Sequence, residues 1–133
     1  MEEHTKFTEP AVWNNYPHVS PDGQKVVFMS SRHDGDQEIY SIEIKTGQTQ
    51  RLTQYNGRDF RPTWPPNGQR IAFVSQRQGN LDVYVMNADG TGVRRITTNE
   101  GLDDYPSWHP NGKSLVYACE HNGRYDIFAI DVD

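Results

Sequence analysis

The sequence predicts an all-β fold assembled from repeated four-stranded units, and three observations carry that expectation. The first is internal repetition. Tyr16-Pro-His-Val-Ser-Pro-Asp-Gly-Gln-Lys-Val-Val-Phe-Met-Ser30 aligns without a gap with Arg61-Pro-Thr-Trp-Pro-Pro-Asn-Gly-Gln-Arg-Ile-Ala-Phe-Val-Ser75 and with Tyr105-Pro-Ser-Trp-His-Pro-Asn-Gly-Lys-Ser-Leu-Val-Tyr-Ala-Cys119. Pro17, Pro62 and Pro106 recur at spacings of 45 and 44 residues, and a fixed period in this range marks architectures built of stacked repeats. The second is turn chemistry: Asp22-Gly23, Asn67-Gly68 and Asn111-Gly112 close the same position of each unit with a hairpin dipeptide. The third is strand pattern. Ile71 and Phe73 alternate with Ala72 and Val74, and Tyr84 and Met86 with Val83 and Val85, so both faces are apolar, as in sheets packed on both sides.

Each unit resolves into four strands in order. The Pro-x-Trp-x segment opens the first strand, and the Asx-Gly dipeptide turns it into the second. Glu38-Ile-Tyr40, Asp82-Val-Tyr84 and Asp126-Ile-Phe128 open the third. Lys45-Thr-Gly47 or Ala88-Asp-Gly-Thr-Gly92 then turns the chain into a fourth, Gln50–Thr53 or Arg94–Thr97. No segment sustains a 3.6-residue period, so no helix is expected. A repeated four-stranded unit of about 40–45 residues with both faces apolar describes a β-propeller blade. A β-sandwich has no reason to repeat its sequence at fixed period. The blades are assigned to residues 14–54, 59–98 and 103–133.

These residues also resemble a known family. Pro-x-Trp-x-Pro-[Asp/Asn]-Gly, preceded by Asp, then a Phe-x-Ser strand and [Asp/Glu]-x-[Tyr/Phe], is similar to the repeat of TolB-like propellers. Related units occur in the propeller domains of tricorn protease and of prolyl-oligopeptidase relatives. The resemblance covers nearly the whole chain and implies the fold, with binding of a protein or peptide as the expected activity. Departures are local. Val19 replaces the tryptophan, Pro65 and His109 stand where Ser20 does, and Cys119-Glu120-His121 replaces Ser30-Ser31-Arg32 and Ser75-Gln76-Arg77.

Lys6-Phe7-Thr8 carries the fourth-strand signature, because Thr8 precedes Pro17 by the same nine residues that separate Thr53 from Pro62 and Thr97 from Pro106. The chain therefore opens with a fourth strand at about residues 4–9 and ends on a third. Three blades cannot close a ring, since propellers run from about four to eight. Two copies give six, so a homodimer is expected, each copy's residues 4–9 completing the other's last blade. The competing reading is a segment of a longer propeller.

Composition narrows the function. Thirteen Lys and Arg against 18 Asp and Glu give a net charge of −5, which leaves no broad basic surface for nucleic acid. No apolar run is long enough for a membrane span. MEEHTKFTEP lacks the basic and apolar regions of a secretory leader, and one Cys forms no intramolecular disulfide, so a cytoplasmic location is expected.

Residues common to all three units belong to the scaffold. Glu38, Asp82 and Asp126 are expected to bond within their blades, to a neighbouring strand or to Arg32 and Arg77. Trp64, Trp108, Tyr40, Tyr84 and Phe128 are expected between blades. Residues that vary concentrate in the loops entering each blade and in those joining second to third strands. There Trp13, Tyr16, Arg58, Phe60, Arg61, Asp104, Tyr105, His33 and Arg124 form a candidate binding face with the composition of interaction hot spots. Asn14, Asp59 and Asp103 stand three residues before the motif proline. In a dimer they form a ring of six side chains at the channel mouth, able to take Ca²⁺ or Mg²⁺ or, alternatively, to cap local turns. No metal-binding histidine spacing and no Gly-x-Ser-x-Gly elbow is present, and Cys119 reads as structural. The expected function is a non-catalytic scaffold for a protein, peptide or small ligand. The alternative is a metal-dependent lyase or lactonase-type hydrolase whose channel site uses His18 and His109.

Overall fold

The computed structural model describes residues 4–8, 12–55 and 57–133. The first sheet contains β1 (Asn14–Val19), β2 (Lys25–Ser30), β3 (Glu38–Glu43) and β4 (Thr49–Arg51), antiparallel and in that order. The second contains β5 (Asp59–Thr63), β6 (Arg70–Ser75), β7 (Asp82–Asn87) and β8 (Arg94–Arg95). The third has three strands, β9 (Leu102–Trp108), β10 (Ser114–His121) and β11 (Arg124–Asp131). The three antiparallel sheets follow one another along the chain, one per repeat, and no helix occurs among the described residues.

The two-faced strands explain the stacking. Ile71 and Phe73 of β6 join Val27, Ile39 and Leu52 of blade 1 with Trp64, Tyr84 and Met86 in one cluster. Ala72, Val83 and Val85, on the opposite face of blade 2, join Leu115, Tyr117 and Cys119 of blade 3. Each blade also carries a second-strand aromatic stacked on a third-strand one: Phe28 on Tyr40, Phe73 on Tyr84 and Tyr117 on Phe128, with ring centres 5.8–6.1 Å apart. Trp64 is buried between blades as expected, and the Trp108 indole N–H donates to the Thr63 carbonyl at 3.0 Å.

Three details differ from the sequence-based expectation. The Asx-Gly turns are not two-residue hairpins. Gly23, Gly68 and Gly112 donate to the carbonyls of Ser20, Pro65 and His109, and only the glycine of each pair has positive φ. Proline at the second position with no positive φ at the third defines a type I turn. The fourth strands are also shorter than Gln50–Thr53 and Arg94–Thr97. Beyond Arg51 the Leu52 and Thr53 amides both donate to the Ile39 carbonyl, at 2.8 and 3.3 Å, and Ile96 and Thr97 do the same to Val83. The Thr hydroxyls complete the exchange by accepting from the Ile39 and Val83 amides, each at 2.9 Å.

The third difference concerns the expected strand at residues 4–9. Residue 9 lies outside the described residues, and 4–8 are not in a strand. A fourth strand bonds to the third strand of its own blade, and this segment pairs with no strand among the described residues. It sits instead on the face of blade 1 turned away from blade 2, where Thr5, Lys6, Phe7 and Thr8 line a cavity of about 290 Å³ with Val26, Phe28 and Ile42. At the other end, Ile127 is 70% and Phe128 48% exposed, against 0% for Ile39 and Val83. Ile127 lies on the outer face of blade 3, whereas Phe128 stacks on Tyr117, on the face turned towards blade 2.

Candidate functional site

The first strands β1, β5 and β9 lie beside one another, and each is bulged at its motif proline. The ladder slips between Asn15 and His18, between Phe60 and Thr63, and in β9 where it runs opposite Val116 to Ala118. The residue before each proline takes the left-handed conformation, with φ of 57° at Tyr16, 53° at Arg61 and 56° at Tyr105. Bulky residues adopt it at a cost, which the surrounding structure must hold, and a bulge of this kind re-aims a side chain. The three re-aimed side chains meet on one cleft of about 260 Å³, floored by Pro17, Pro62 and Pro106 and bordered by His18.

Arg61 is the centre of that cleft. Its guanidinium carbon lies 4.1 Å from the Tyr105 ring centre and 4.6 Å from that of Tyr16, within cation–π range of both. Its Nε meets Asp104 Oδ1 at 2.7 Å as an ion pair without hydrogen-bond alignment. Both side chains are largely buried, 24% and 13% exposed. Four of the nine expected binding residues, Tyr16, Arg61, Asp104 and Tyr105, thus lie together here.

The other candidates fall elsewhere. Phe60 is a correction: it is buried with Met29 and Val74, and the Arg58 guanidinium covers its ring at 4.2 Å. The reason is strand alternation, which turns Phe60 into the core while Arg61 faces the cleft. Arg58 itself donates from Nε to Gln37 Oε1 at 2.9 Å. Trp13 is 75% exposed; its amide donates to the Ser31 hydroxyl and its carbonyl accepts from the Ser31 amide, each at 3.0 Å. His33 pairs with Asp34 at 3.2 Å beside a polar recess that includes Asp36, Arg51 and Tyr55. Arg124 is exposed at the start of β11.

Asn14, Asp59 and Asp103 are drawn into their blades. Arg77 donates to Asp59 at 2.9 Å, Arg32 to Asn14 at 3.4 Å, and Asn99 to Asp103 at 2.8 Å. Arg32 and Arg77 therefore serve this row, and of the two partners expected for Glu38 and Asp82 it is the neighbouring strand that supplies them. Those two are served from the fourth strand: Arg51 reaches Glu38 at 3.2 Å and Arg95 reaches Asp82 at 2.6 Å. The spacing of Arg51 to Thr53, repeated at Arg95 to Thr97, is the signal that could have found these partners. Asn99 had a weaker one, because His121 stands where an arginine would otherwise serve Asp103.

The two carboxylate rows also face each other across the seams between blades. Burial pushes Asp59 up to about 6, opposed by Ser75 and Arg77 and reinforced by the charge of Glu38. Asp82 is raised mainly by burial, with Asp103 adding to it. One oxygen of Asp59, Asp82 and Asp103 has no hydrogen-bond partner. Among the described residues no three His, Cys, Asp or Glu side chains converge as metal ligands. His18 Nδ1 accepts from the Trp64 amide at 2.8 Å, and His109 Nδ1 from the Asn111 amide at 3.1 Å, which ties both rings to turns and seams. Cys119 is buried and its thiol is pushed up to about 11, first by burial and then by Asp103.

Stacked antiparallel blades of three or four strands, with bulged inner strands converging on a shared cleft, define the chain as β-propeller material. The family model of the TolB β-propeller domain matches residues 2–133, and the chain belongs to that family. Among individual relatives, the Tol-Pal system protein TolB of Alcanivorax borkumensis is 31% identical over 61 residues, 46% of this chain and 14% of that protein. TolB of Francisella tularensis subsp. mediasiatica is 38% identical over 58 residues, 44% of this chain and 13% of its own. Among solved structures, a TolB candidate from Agrobacterium tumefaciens superposes with a TM-score of 0.84 at 28% identity, covering 95% of this chain and 48% of that one. A manganese-bound oligogalacturonate lyase gives a TM-score of 0.69 at 20% identity, with 87% and 38% covered, a likeness of fold. The chain thus spans about half of the Agrobacterium structure and a smaller part of the lyase.

Proposed function

We propose that the chain is a non-catalytic scaffold that binds a protein or peptide segment at the cleft around Arg61, and that it works as a homodimeric six-bladed ring. One observation carries the binding role. The fold holds the residue before the motif proline in the same left-handed conformation three times, and fills it with Tyr16, Arg61 and Tyr105. Tyrosine satisfies that position in two blades, so the scaffold does not require arginine in the third. Two tyrosines and an arginine, preorganised on a rigid bulge, are residue types that dominate binding energy at protein interfaces. Among the described residues the terminal nitrogens of Arg61 donate no hydrogen bond, which leaves them for a carboxylate or carbonyl of the ligand. The relatives that bear the name Tol-Pal system protein TolB support this reading.

The ring rests on exposed surface. Blade 3 presents Val116 and Ile127 at 36% and 70% exposure, where blades 1 and 2 bury Val27, Ala72, Ile39 and Val83 completely. Exposed apolar faces on an unpaired strand edge call for a cover.

Selection from a displayed random-peptide library tests the binding role. Peptides enriched on the native protein should lose at least tenfold in affinity on Arg61→Ala. Equal affinity for both proteins would remove the cleft from the binding surface.

A further inference from the structure

Two complete seams within the chain supply a template for a third. At the first, Glu38 accepts from the Thr53 hydroxyl, from the Tyr55 amide at 2.6 Å and from Arg51 at 3.2 Å. At the second, Asp82 accepts from Arg95 at 2.6 Å. In both, the threonine hydroxyl takes the amide that follows the acid, Ile39 or Val83, at 2.9 Å. A basic residue, an apolar one and threonine thus lock the acidic start of the third strand.

Blade 3 has the acid and the amide, and among the described residues no such triplet reaches them. Asp126 and Ile127 lie on the exposed outer edge of β11, which pairs only with β10 among the described residues. The chain nevertheless carries a third copy of the lock, Lys6-Phe7-Thr8, at the same distance from its motif proline. That copy is already positioned. Phe7 borders Val26 and Phe28 of blade 1, just as Leu52 clusters with their equivalents Ile71 and Phe73 in blade 2. It lies on the face of blade 1 that points away from blades 2 and 3, so it cannot reach Asp126 of its own chain.

We propose that Lys6, Phe7 and Thr8 of one copy form the missing fourth strand on β11 of a second copy, with Lys6 and Thr8 closing on the partner's Asp126. Thr8 Oγ1 accepts the amide of the partner's Ile127, and the partner's Val116 and Ile127 bury against Val26, Phe28 and Ile42. By two-fold symmetry the contact occurs twice. The occupant is a second copy because lock and acid are complementary in charge and match the two internal seams residue for residue. Asn14 fits the same scheme. The internal seams set Asp59 against Glu38 and Asp103 against Asp82, and the equivalent residue at the intermolecular seam is a neutral amide that adds no repulsion to Asp126.

This inference rests on the homodimer proposed above, and the experiment separates the two. Lys6→Asp and Asp126→Lys are made singly and measured by light scattering, with circular dichroism to confirm folding. Each alone places like charges at both seams and should weaken dimerisation at least tenfold. An equimolar mixture forms heterodimers with one native and one reversed seam, both complementary, and should recover the native dimer. A native protein that dimerises while both variants dimerise equally well overturns the lock and leaves the dimer standing. A native protein that stays at one chain mass overturns both. As a check that needs only folded protein, Thr8→Cys with Asp126→Cys, in a Cys119→Ser background, should oxidise to a disulfide-linked dimer. Failure to cross-link, or a disulfide within one chain, contradicts the proposal.

Discussion

The Arg77 guanidinium donates to the Asp59 carboxylate at 2.9 Å, and one blade earlier Arg32 makes the same link to Asn14 at 3.4 Å. The scaffold therefore accepts an amide where blade 2 has an acid, which gives Asp59 a natural control.

Asp59 should impose a pH slope on stability. Its folded value of about 6 lies above its ordinary 3.8, so between these values the native state binds the extra proton. Stability from this group is greatest at the acid end, falls as pH rises from about 4 to about 6, and stays low above that. Asp59→Asn should remove that slope and stabilise the protein at pH 8, by up to about 3 kcal/mol for a shift of this size. Urea unfolding at pH 4.5 and 8 measures it; an unchanged slope would show that the carboxyl is not held protonated by its seam.

Arg61→Tyr separates scaffold from function. It installs the residue that blades 1 and 3 already use but leaves the largely buried Asp104 without its cation, so urea unfolding should show a loss of about 1–3 kcal/mol with the fold retained. Binding of selected peptides should still fall at least tenfold. Loss of fold would mean that Arg61 is structural.

Two glycines distinguish backbone strain from steric conflict. Gly23 has φ +73° with open space around it, whereas Gly90 has φ +91° and an added Cβ would lie 2.5 Å from the Leu52 carbonyl oxygen. Gly23→Ala should cost about 1 kcal/mol, and Gly90→Ala about 2–4 kcal/mol because the blade 1–2 seam must also shift. Equal costs from denaturant melts would contradict the close approach.

Cys119 should behave as a core residue. Its thiol, near 11 and buried, should resist a thiol reagent at pH 8 and react fully once urea unfolds the chain. Cys119→Ser, which restores the residue of blades 1 and 2, should change stability by less than about 2 kcal/mol. Fast labelling of the folded protein would place the thiol outside the core.

Much of the blade was legible because its chemistry repeats. The motif prolines, the Asx-Gly turns and the two-faced strands gave the antiparallel sheets and their order, and comparison among copies put Tyr16, Arg61 and Tyr105 among nine candidates for a binding face. Pairings between side chains were less visible. Phe60 and Arg61 are adjacent in sequence and equally loop-like in composition, and only the register of the bulged strand turns one inward. The partners of Glu38 and Asp82 depended on which of several nearby arginines lay on the adjoining strand. The carboxylates facing across seams belong to different repeats, so their encounter is set by how blades stack.

Solution mass tests the closure of the ring most directly. Light scattering on the purified chain, across a range of concentrations, should give twice the chain mass of 15.3 kDa, the mass of six blades. A single species at 15.3 kDa throughout would contradict a ring closed by a second copy.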